Sequence, residues 1–171
     1  MDIWLKKVSI EDNEKYCDLL IELATYKDVY ARPVPSDFGK DEFELFKKAR
    51  VSMETREKTP VNTYWIMDNN KPIGYATLKR DIEVNKPGGN LGCCLKKEYQ
   101  NKGLGMMVSD MLSEIAYNEY GIEKLIYTAK NENKQSQRSI EKIGGKLVEI
   151  HDGYHFYEVD LRNKYEKGRA I

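Results

Sequence analysis

Apolar and polar side chains follow a regular repeat from residue 104 to residue 120. Apolar side chains recur there at intervals of three and four residues, at Leu104, Met107, Val108, Met111, Leu112, Ile115 and Ala116. Polar side chains occupy positions between them, at Ser109, Asp110, Ser113, Glu114 and Asn118. This spacing predicts an α-helix that buries one face and exposes the other. Gly121 follows at a position where a left-handed residue commonly ends a helix.

Shorter patterns on both sides of this helix predict further strands and helices. Before it lie predicted strands at 3–8, 62–68, 73–80 and 90–95, and predicted helices at 11–25 and 41–55. After it lie a strand at 124–129, a helix that begins at 133, and strands at 146–150 and 154–161. The order β-α-α-β-β-β-α-β-α-β-β is typical of an α/β fold with a mixed sheet (α+β). The strand at 124–129 is expected to run parallel to the strand before the long helix, in a right-handed crossover.

The helix predicted at 41–55 has an apolar and a charged side. The side chains expected to face inward are Phe43, Phe46, Ala49 and Met53. Those expected to face solvent are Lys47, Lys48 and Glu54. The helix should therefore lie on the surface of the core.

Length and composition indicate one domain over residues 1–171, with a charged and flexible tail at 162–171. The chain has 171 residues, 40% of them hydrophobic, which is enough for one buried core. No run approaches the ~20 apolar residues of a membrane span, and the N-terminal sequence lacks a signal-peptide layout. We therefore expect a soluble, cytoplasmic protein without a membrane partner. Because 28 basic residues balance 28 acidic ones, without a long basic block, a nucleic-acid partner is not expected.

The cysteines and histidines do not indicate a disulfide framework or a metal site. The chain has three cysteines, an odd number, and two of them, Cys93 and Cys94, are adjacent. Neighbouring strand residues point to opposite faces, so one thiol should face the core and the other the cleft side of the sheet. His151 and His155 are the only histidines and have no matching cysteine or acidic cluster, so no metal is expected.

Candidate chemistry is concentrated where the long helix begins. Gly103 and Gly105 remove two Cβ atoms from this region, so a ligand can approach the backbone closely. The first amides of a helix lack partners within it, and the helix dipole adds partial positive charge, a combination that suits a phosphate. Alternatively, the glycines serve only a tight turn. Their spacing excludes a Rossmann turn, and the absence of Gly-Lys-Ser/Thr excludes a P-loop.

Two motifs resemble those of the GNAT family of N-acetyltransferases. Gln100, Gly103 and Gly105 fit the motif A pattern Gln/Arg-x-x-Gly-x-Gly/Ala, between a short strand and a long helix. A second set is similar to motif B, at Asn133, Ser136, Ile140, Glu141, Lys142 and Gly144. Together these motifs cover about residues 90–150, and the order of elements extends the resemblance to the rest. The pair at 144–145, Gly-Gly where the family more often has Gly-Phe, resembles an uncharacterised bacterial subset of small-molecule acetyltransferases.

The resemblance implies acetyl coenzyme A (acetyl-CoA) as co-substrate. The loop amides would hold its pyrophosphate, and the preceding strand would pair with its pantetheine arm. The implied binding residues are Cys93, Leu95, Gln100, Asn101, Lys102, Gly103, Leu104, Gly105, Asn133 and Ser136. The implied reaction is direct acetyl transfer to a primary amine, most consistent with a small-molecule acceptor. In the family the segment between the first two helices helps to form the acceptor site, which makes candidates of Asp28, Tyr30, Arg32 and Asp37; alternatively, these are solvated loop residues.

The sequence departs from the family at the usual catalytic acid. Ile140 stands where a tyrosine commonly protonates the leaving thiolate. Candidates for its replacement are Ser136, Ser139, Tyr154 and solvent. The oxyanion would meet a backbone amide near Cys94 or Leu95, and the candidates for a general base are Glu83, Asp81 and a chain of waters. The catalytic residues are thus left open.

This departure keeps two other functions under consideration. One is a coenzyme A-binding sensor or scaffold that has lost chemistry, which would bind the cofactor without amine-dependent release of free thiol. The other is a protein N-terminal or lysine acetyltransferase, which needs a peptide groove. The sequence also leaves the oligomeric state open, including a homodimer.

Overall fold

A computed structural model describes residues 1–26, 33–81 and 89–166. Its elements are β1 (Ile3–Lys7), α1 (Glu14–Ala24), α2 (Lys40–Met53), β2 (Val61–Asp68), β3 (Lys71–Lys79), β4 (Leu91–Leu95), a 3-10 turn (Lys97–Tyr99), α3 (Leu104–Tyr120), β5 (Lys124–Lys130), α4 (Lys134–Lys142), β6 (Lys146–His151), β7 (Tyr154–Asp160) and α5 (Leu161–Tyr165). The predicted order of strands and helices is confirmed, with α5 added at the end.

The strands form two antiparallel sheets that share a point of contact. One sheet has the order β1-β2-β3-β4, and the other has the order β5-β7-β6. β4 and β5 meet just before β4 begins, where the Asn90 N–H donates to the Ile126 carbonyl at 2.8 Å. Within the described ranges β4 and β5 are not paired as neighbouring strands. The crossover predicted through α3 therefore connects strands of two different sheets, not two neighbouring strands of one sheet.

Two apolar clusters cover the two faces of the first sheet. On one face, α1 and α2 contribute Leu19, Leu20, Leu23, Phe43 and Phe46. On the other, α3 contributes Leu104, Val108, Leu112 and Ala116, which also pack against the second sheet. Trp65 and Ile66 are neighbours in β2, belong to different clusters and are both 0% exposed. Because adjacent strand residues point to opposite faces, β2 is buried along nearly its whole length.

The buried stripe of α3 is rotated relative to the prediction. Met107 was expected to be buried but is 48% exposed, whereas Ser113 was expected to be exposed and is 0% exposed. The Ser113 hydroxyl lies 2.7 Å from the Tyr127 hydroxyl and bonds to the Ser109 carbonyl, also at 2.7 Å. Ser113 is therefore buried with its hydroxyl hydrogen-bonded, which the hydropathy pattern alone did not reveal.

The predicted outward position of Lys47 on α2 is also wrong. Lys47 is 3% exposed, and its ammonium donates to the carbonyls of Ile10 and Asp12, each at 2.9 Å. Its Nζ also lies 2.8 Å from Glu44. The aliphatic part of the Lys47 side chain is buried, and its ammonium is paired with the two carbonyls and with Glu44. A long side chain can bury its carbon atoms in this way while its charged end reaches polar partners. Ala49, predicted to face inward, is exposed.

The segment predicted as a flexible tail from residue 162 begins with a helix instead. Leu161, the first residue of α5, is 0% exposed, and the Tyr165 ring stacks on Tyr117 of α3 at a centroid distance of 5.4 Å. Lys164 pairs with Asp110 of α3. These contacts hold the charged sequence against α3, so its charge did not indicate disorder. In the part of the chain that is described, no helix is long and apolar enough to cross a bilayer.

Candidate active site

A cleft of about 500 Å³ opens where β4 and β5 separate. Its walls come from β4, the start of α3, β5, α4 and the start of β7. Of the residues predicted from the sequence, it brings together Cys93, Asn101, Gly103, Gly105, Asn133, Ser136, Ser139 and Tyr154. Leu95, Gln100, Lys102 and Leu104, also predicted, do not line it.

Asn90, next to the cleft-lining Leu91, joins the two sheets. Its side-chain oxygen accepts from the Ile126 N–H at 2.6 Å, and its side-chain NH₂ donates to the Lys79 carbonyl at 2.7 Å. Its backbone makes a second bond to each of the same two residues, at 2.8 Å. Asn90 is 5% exposed, so these bonds are shielded from water. The adjacent Gly89 has no room for a side chain, because an added Cβ would lie 2.5 Å from the Ile126 carbonyl oxygen.

The glycine loop at the start of α3 faces the cleft. Gly103 has the left-handed φ of 77°, which favours glycine at this turn. Gly105 is already helical, and an added Cβ there would meet no protein atom within 4 Å. Internal packing therefore does not account for the missing side chain of Gly105. Among the described residues, the first amide of this helix that bonds to a protein carbonyl is that of Met106, to Gly103 at 3.2 Å.

Gln100 has a positioning role that the family pattern did not specify. Its side-chain NH₂ donates to the Leu95 carbonyl at 2.8 Å, which ties the loop to the end of β4. Leu104 points into the core and is 7% exposed. Lys102 is exposed, with its ammonium 5.8 Å from the Tyr99 ring centre. These residues shape the loop without lining the cleft.

The start of α4 forms the opposite wall. Asn133 caps this helix, because its side-chain oxygen accepts from the Ser136 N–H at 3.0 Å. Ile140, at the position of the family tyrosine, is 3% exposed and belongs to the core cluster around α3. The glycine pair that follows has a steric reason: Gly144 has φ 90°, and a Cβ on Gly145 would lie 2.5 Å from Ile140.

Comparison with known proteins identifies the family. The model of the GNAT acetyltransferase domain matches residues 2–146, most of the chain. The chain belongs to the GNAT acetyltransferase family. It is therefore an acyltransferase, as the two motifs implied. Among curated proteins, no sequence matches it.

Solved acetyltransferases share the fold at low sequence identity. The N-acetyltransferase PseH of Campylobacter jejuni, in complex with acetyl-CoA, is 12% identical with a TM-score of 0.64, and the alignment covers 93% of this chain and 99% of PseH. The PaiA N-acetyltransferase of Thermoplasma acidophilum, in complex with coenzyme A, is 17% identical with a TM-score of 0.61, over 94% and 99%. The dodecameric spermidine N-acetyltransferase of Vibrio cholerae is 12% identical with a TM-score of 0.67, over 98% of each chain.

The adjacent cysteines of this acetyltransferase point to opposite faces, as predicted. Cys93 lines the cleft, and Cys94 is buried against α1 and α2. Burial raises the pKa of the Cys93 thiol to about 12 and that of Cys94 to about 11. Both thiols are therefore protonated at neutral pH, which argues against a nucleophilic cysteine in this acetyltransferase.

Hydroxyl groups supply most of the polar side chains in the cleft. Ser139 donates its hydroxyl proton to the Gln135 carbonyl at 2.9 Å, so that proton is directed away from the cleft. Tyr127, which the sequence reasoning missed, lines the cleft from β5 and bonds to Ser113. Burial raises the pKa of Tyr127 to about 12, whereas its bond to Ser113 acts in the opposite direction. The only sequence signal that could have indicated that Tyr127 faces α3 is the alternation of side chains between the two faces of β5.

The residues predicted as acceptor contacts or as a general base of this acetyltransferase lie either outside the described residues or away from the cleft. Asp28, Tyr30, Arg32 and Glu83 lie outside the described residues. Asp37 and Asp81 are described, exposed, and not part of the cleft lining. Over residues 1–26, 33–81 and 89–166, no three histidine, cysteine or acidic side chains are grouped as a metal ion would require.

Proposed function

We propose that this acetyltransferase, acting as a single domain, transfers the acetyl group of acetyl-CoA directly to a primary amine of a small molecule. The observation that carries the proposal is the loop at Gly103 and Gly105, which opens onto the cleft without a packing reason for glycine at 105. Family membership supplies the reaction class. The similar PseH and PaiA structures contain acetyl-CoA and coenzyme A, which supports this choice of co-substrate.

The chain offers separate surfaces to the two ends of the co-substrate. The amides at Gly103, Leu104 and Gly105 would bind the pyrophosphate, since they combine unpaired donors with the positive end of the α3 dipole. The backbone of β4 at Cys93 and Leu95 would pair with the pantetheine arm, because no strand of the described sheets occupies that edge. Asn133 would contact the arm through its NH₂ group, since its oxygen already caps α4. Asn101, Lys102 and Ser136 are proposed as further contacts, with Gln100 holding the loop.

Bound acetyl-CoA supplies an activated acetyl group and a thiolate leaving group. The backbone amide near Cys94 or Leu95 would stabilise the oxyanion, a role that requires no particular side chain. Because Ile140 has no proton to donate, the thiolate is protonated by solvent or by Ser136 or Tyr154, both of which line the cleft. Ser139 is the weaker candidate, since its hydroxyl is committed to Gln135.

The acceptor is proposed as a small amine because structures with this fold include a spermidine N-acetyltransferase. Asp28, Tyr30 and Arg32 remain proposed acceptor contacts, and Glu83 a proposed base, on the family resemblance alone. Cytoplasmic location likewise remains a prediction. The buried Ile140 favours a second candidate function, a coenzyme A-binding module without catalysis.

The test is acetyl-CoA binding by the wild type and by Gly105→Asp. The replacement adds a carboxylate facing the proposed pyrophosphate site, while its Cβ meets no protein atom within 4 Å. We expect the unliganded melting temperature to change little and the affinity for acetyl-CoA to fall at least a hundredfold. At a hundredfold excess of ligand over Kd, the wild type should gain about 2.7 kcal/mol, or roughly 5–11 °C.

Asn118→Asp is the matched control, because it adds the same charge at an exposed position near the other end of α3. It should bind acetyl-CoA as the wild type does. No binding by the wild type would refute the proposed function. Binding without amine-dependent release of free thiol, over a panel of polyamines and other small amines, would favour the non-catalytic module.

A further inference from the structure

The guanidinium of Arg50 on α2 is half-buried against the face of the first sheet that α1 and α2 cover. Its Cζ lies 5.1 Å from the centre of the Phe46 ring and 5.7 Å from that of the Tyr75 ring. In the described part of the chain, its N–H groups donate to the Pro33 carbonyl at 3.2 Å and, weakly, to the Met53 sulfur at 3.6 Å. Because a guanidinium has five N–H donors, most of them remain available for another acceptor.

The acidic residue best placed to neutralise Arg50 has another partner. Glu54 lies one helical turn beyond Arg50, a spacing at which oppositely charged side chains commonly pair. Its carboxylate is paired instead with Lys7 of β1. Over the ranges that the structure describes, no carboxylate forms an ion pair with Arg50. A guanidinium on aromatic rings without a counter-ion attracts an anion from outside the protein.

The strand register forms a row of small polar residues on the same face of the sheet. Thr63 of β2 lies opposite Thr77 of β3, which in turn lies opposite Gly92 of β4. Thr63 is two residues from Trp65, which belongs to the apolar cluster of α1 and α2. Alternate strand residues share a face, so the row points towards the two helices.

The course of α2 brings Arg50 over this polar row. Near the middle of α2, Phe46 packs against Trp65 at a centroid distance of 6.3 Å. At its end, the Glu54 carbonyl accepts from Arg80, just beyond β3. Arg50 lies midway between Phe46 and Glu54 on the helix, and the polar row lies between the levels of Trp65 and Arg80 on the sheet.

Two buried hydroxyl groups near Arg50 have no hydrogen-bond partner among the described residues. They belong to Thr63, which is 4% exposed, and to Tyr75, which is 5% exposed. Burial raises the pKa of Tyr75, so its hydroxyl keeps its proton at neutral pH and can donate it to an acceptor. Buried polar groups are rarely left unpaired, which indicates that something outside the chain supplies a partner here. Thr77 and Gly92 are half-buried, so the row is accessible from their end.

The polar row ends on the strand that lines the cleft. Cys93 lines the cleft, whereas Cys94 points towards α1 and α2, as Gly92 does by alternation. The row and the cleft therefore meet at β4. Because neighbouring strands lie about 4.8 Å apart, a group over Thr77 or Thr63 is roughly 5–10 Å from β4.

We propose that Arg50 binds an anionic group of the acceptor, which is then a small amine with a carboxylate roughly 5–10 Å from its nitrogen. This inference rests on the proposed function and narrows its acceptor class to amino acids. The carboxylate accepts hydrogen bonds from the guanidinium, with the Thr77 hydroxyl as a further donor. The amine then lies at β4, where acetyl-CoA would present its acetyl group. A polyamine is disfavoured, because it would bring a second cation to Arg50.

The test compares ε-aminocaproate with ε-aminocaproamide, which has the same chain and amine but no charge at the other end. We expect the wild type to prefer the acid in kcat/KM by about ten- to a hundredfold, the range for hydrogen bonds to a charged group. Arg50→Gln should bring the two substrates near parity. Arg50→Lys should keep part of the preference, since lysine retains the charge without the paired N–H groups. Arg50→Glu should favour spermidine over the acid.

Lys48→Gln is the matched control, because it removes the same charge from an exposed position of the same helix. It should keep the wild-type preference for the acid. Arg50 does not line the cleft, so every variant should bind acetyl-CoA with wild-type affinity. That binding also shows that the variants are folded.

Equilibrium binding separates this inference from the proposed function. Calorimetric titration of both probes, with and without coenzyme A, measures binding without turnover. A wild type that binds neither probe, or binds both equally well, would overturn the proposal, as would a preference for the acid that survives in Arg50→Gln. Preferential binding of the acid that Arg50→Gln abolishes, without any release of free thiol, would refute the proposed function and leave the anion site at Arg50 in place.

Discussion

Replacing Asn90 with alanine should both destabilise the protein and alter its cleft. The substitution removes the side-chain bonds to the Ile126 N–H, at 2.6 Å, and to the Lys79 carbonyl, at 2.7 Å. The backbone bonds of residue 90 to the same partners can remain. β4 and β5 would then be joined at this end by backbone contacts alone.

The expected loss of stability follows from two buried groups left without partners. Asn90 is 5% exposed, so water does not readily replace its carboxamide. An unsatisfied buried donor or acceptor costs about 1–3 kcal/mol, which puts the loss for the Ile126 N–H and the Lys79 carbonyl together at roughly 2–6 kcal/mol. At about 2–4 °C per kcal/mol for a domain of this size, a 3 kcal/mol loss lowers the melting temperature by roughly 6–12 °C.

The measurement combines urea unfolding with calorimetric titration of acetyl-CoA well below the melting temperature. We expect Asn90→Ala to weaken acetyl-CoA binding, because the proposed site for the pantetheine arm lies where β4 and β5 separate. Adenosine 3′,5′-bisphosphate, which lacks that arm, should bind with unchanged affinity. Asn90→Asp should also be destabilised, because it places an oxygen opposite the Lys79 carbonyl.

Asp12→Ala is the control for a general loss of stability. Asp12 is 5% exposed and accepts hydrogen bonds from the Trp65 indole at 2.6 Å and the Ser9 N–H at 2.8 Å, outside the cleft lining. Its loss should lower stability without changing acetyl-CoA affinity. If Asn90→Ala loses stability but binds acetyl-CoA as the wild type does, Asn90 does not set the width of the cleft. If its stability is also unchanged, the hydrogen-bond reasoning fails.

Two further predictions concern buried groups. Lys47→Met keeps an aliphatic side chain but leaves the carbonyls of Ile10 and Asp12 without their ammonium donor. Urea unfolding should therefore show that the free energy of unfolding falls by about 1–3 kcal/mol. Unchanged stability would mean that water replaces the ammonium. Burial raises the pKa of the Cys93 thiol from 9.0 to about 12, so the unfolded chain loses this proton first as the pH rises. Stability should therefore fall between about pH 9 and pH 12, by at most about 1.4 kcal/mol per pH unit for this group, and Cys93→Ala should reduce the slope between pH 8 and 9.5. An unchanged slope in Cys93→Ala would contradict the assignment.

Local signals were sufficient to predict most of the secondary structure. The apolar repeat from Leu104 and the glycine at 121 predicted α3, which ends at Tyr120 with Gly121 in the left-handed conformation at φ 64°. The order of strands and helices was predictable for the same reason, since period and turn chemistry depend on residues close together in the chain. The glycine spacing at 103 and 105 likewise indicated a loop at the start of α3 and, with motif B, the family.

Side-chain environments that depend on distant partners were not predictable. Lys47 was expected in solvent because a lysine on an amphipathic helix usually lies there, yet its acceptor at Ile10 is 37 residues away. Ser113 was assigned to the polar face, and its burial depends on Tyr127 across the α3–β5 interface. The charged residues of α5 suggested a frayed end, whereas packing against α3 orders them. In each case a contact between elements outweighed the local preference.

The sequence by itself determined the family, the succession of elements and the position of the glycine loop before α3, because each depends on short spacings within one segment. Only the tertiary structure decided how the cleft opens. The Asn90 side chain joins the two sheets through a hydrogen bond to Ile126, which is 36 residues away in the chain. Beyond this bond β4 and β5 separate, and the cleft lies between them. The tertiary structure also decided that β6 is an edge strand with a bulge at Val148, since the bulge arises only when β6 pairs with β7. Hydrogen bonds across that distance form only once the chain has folded, and no local pattern encodes them.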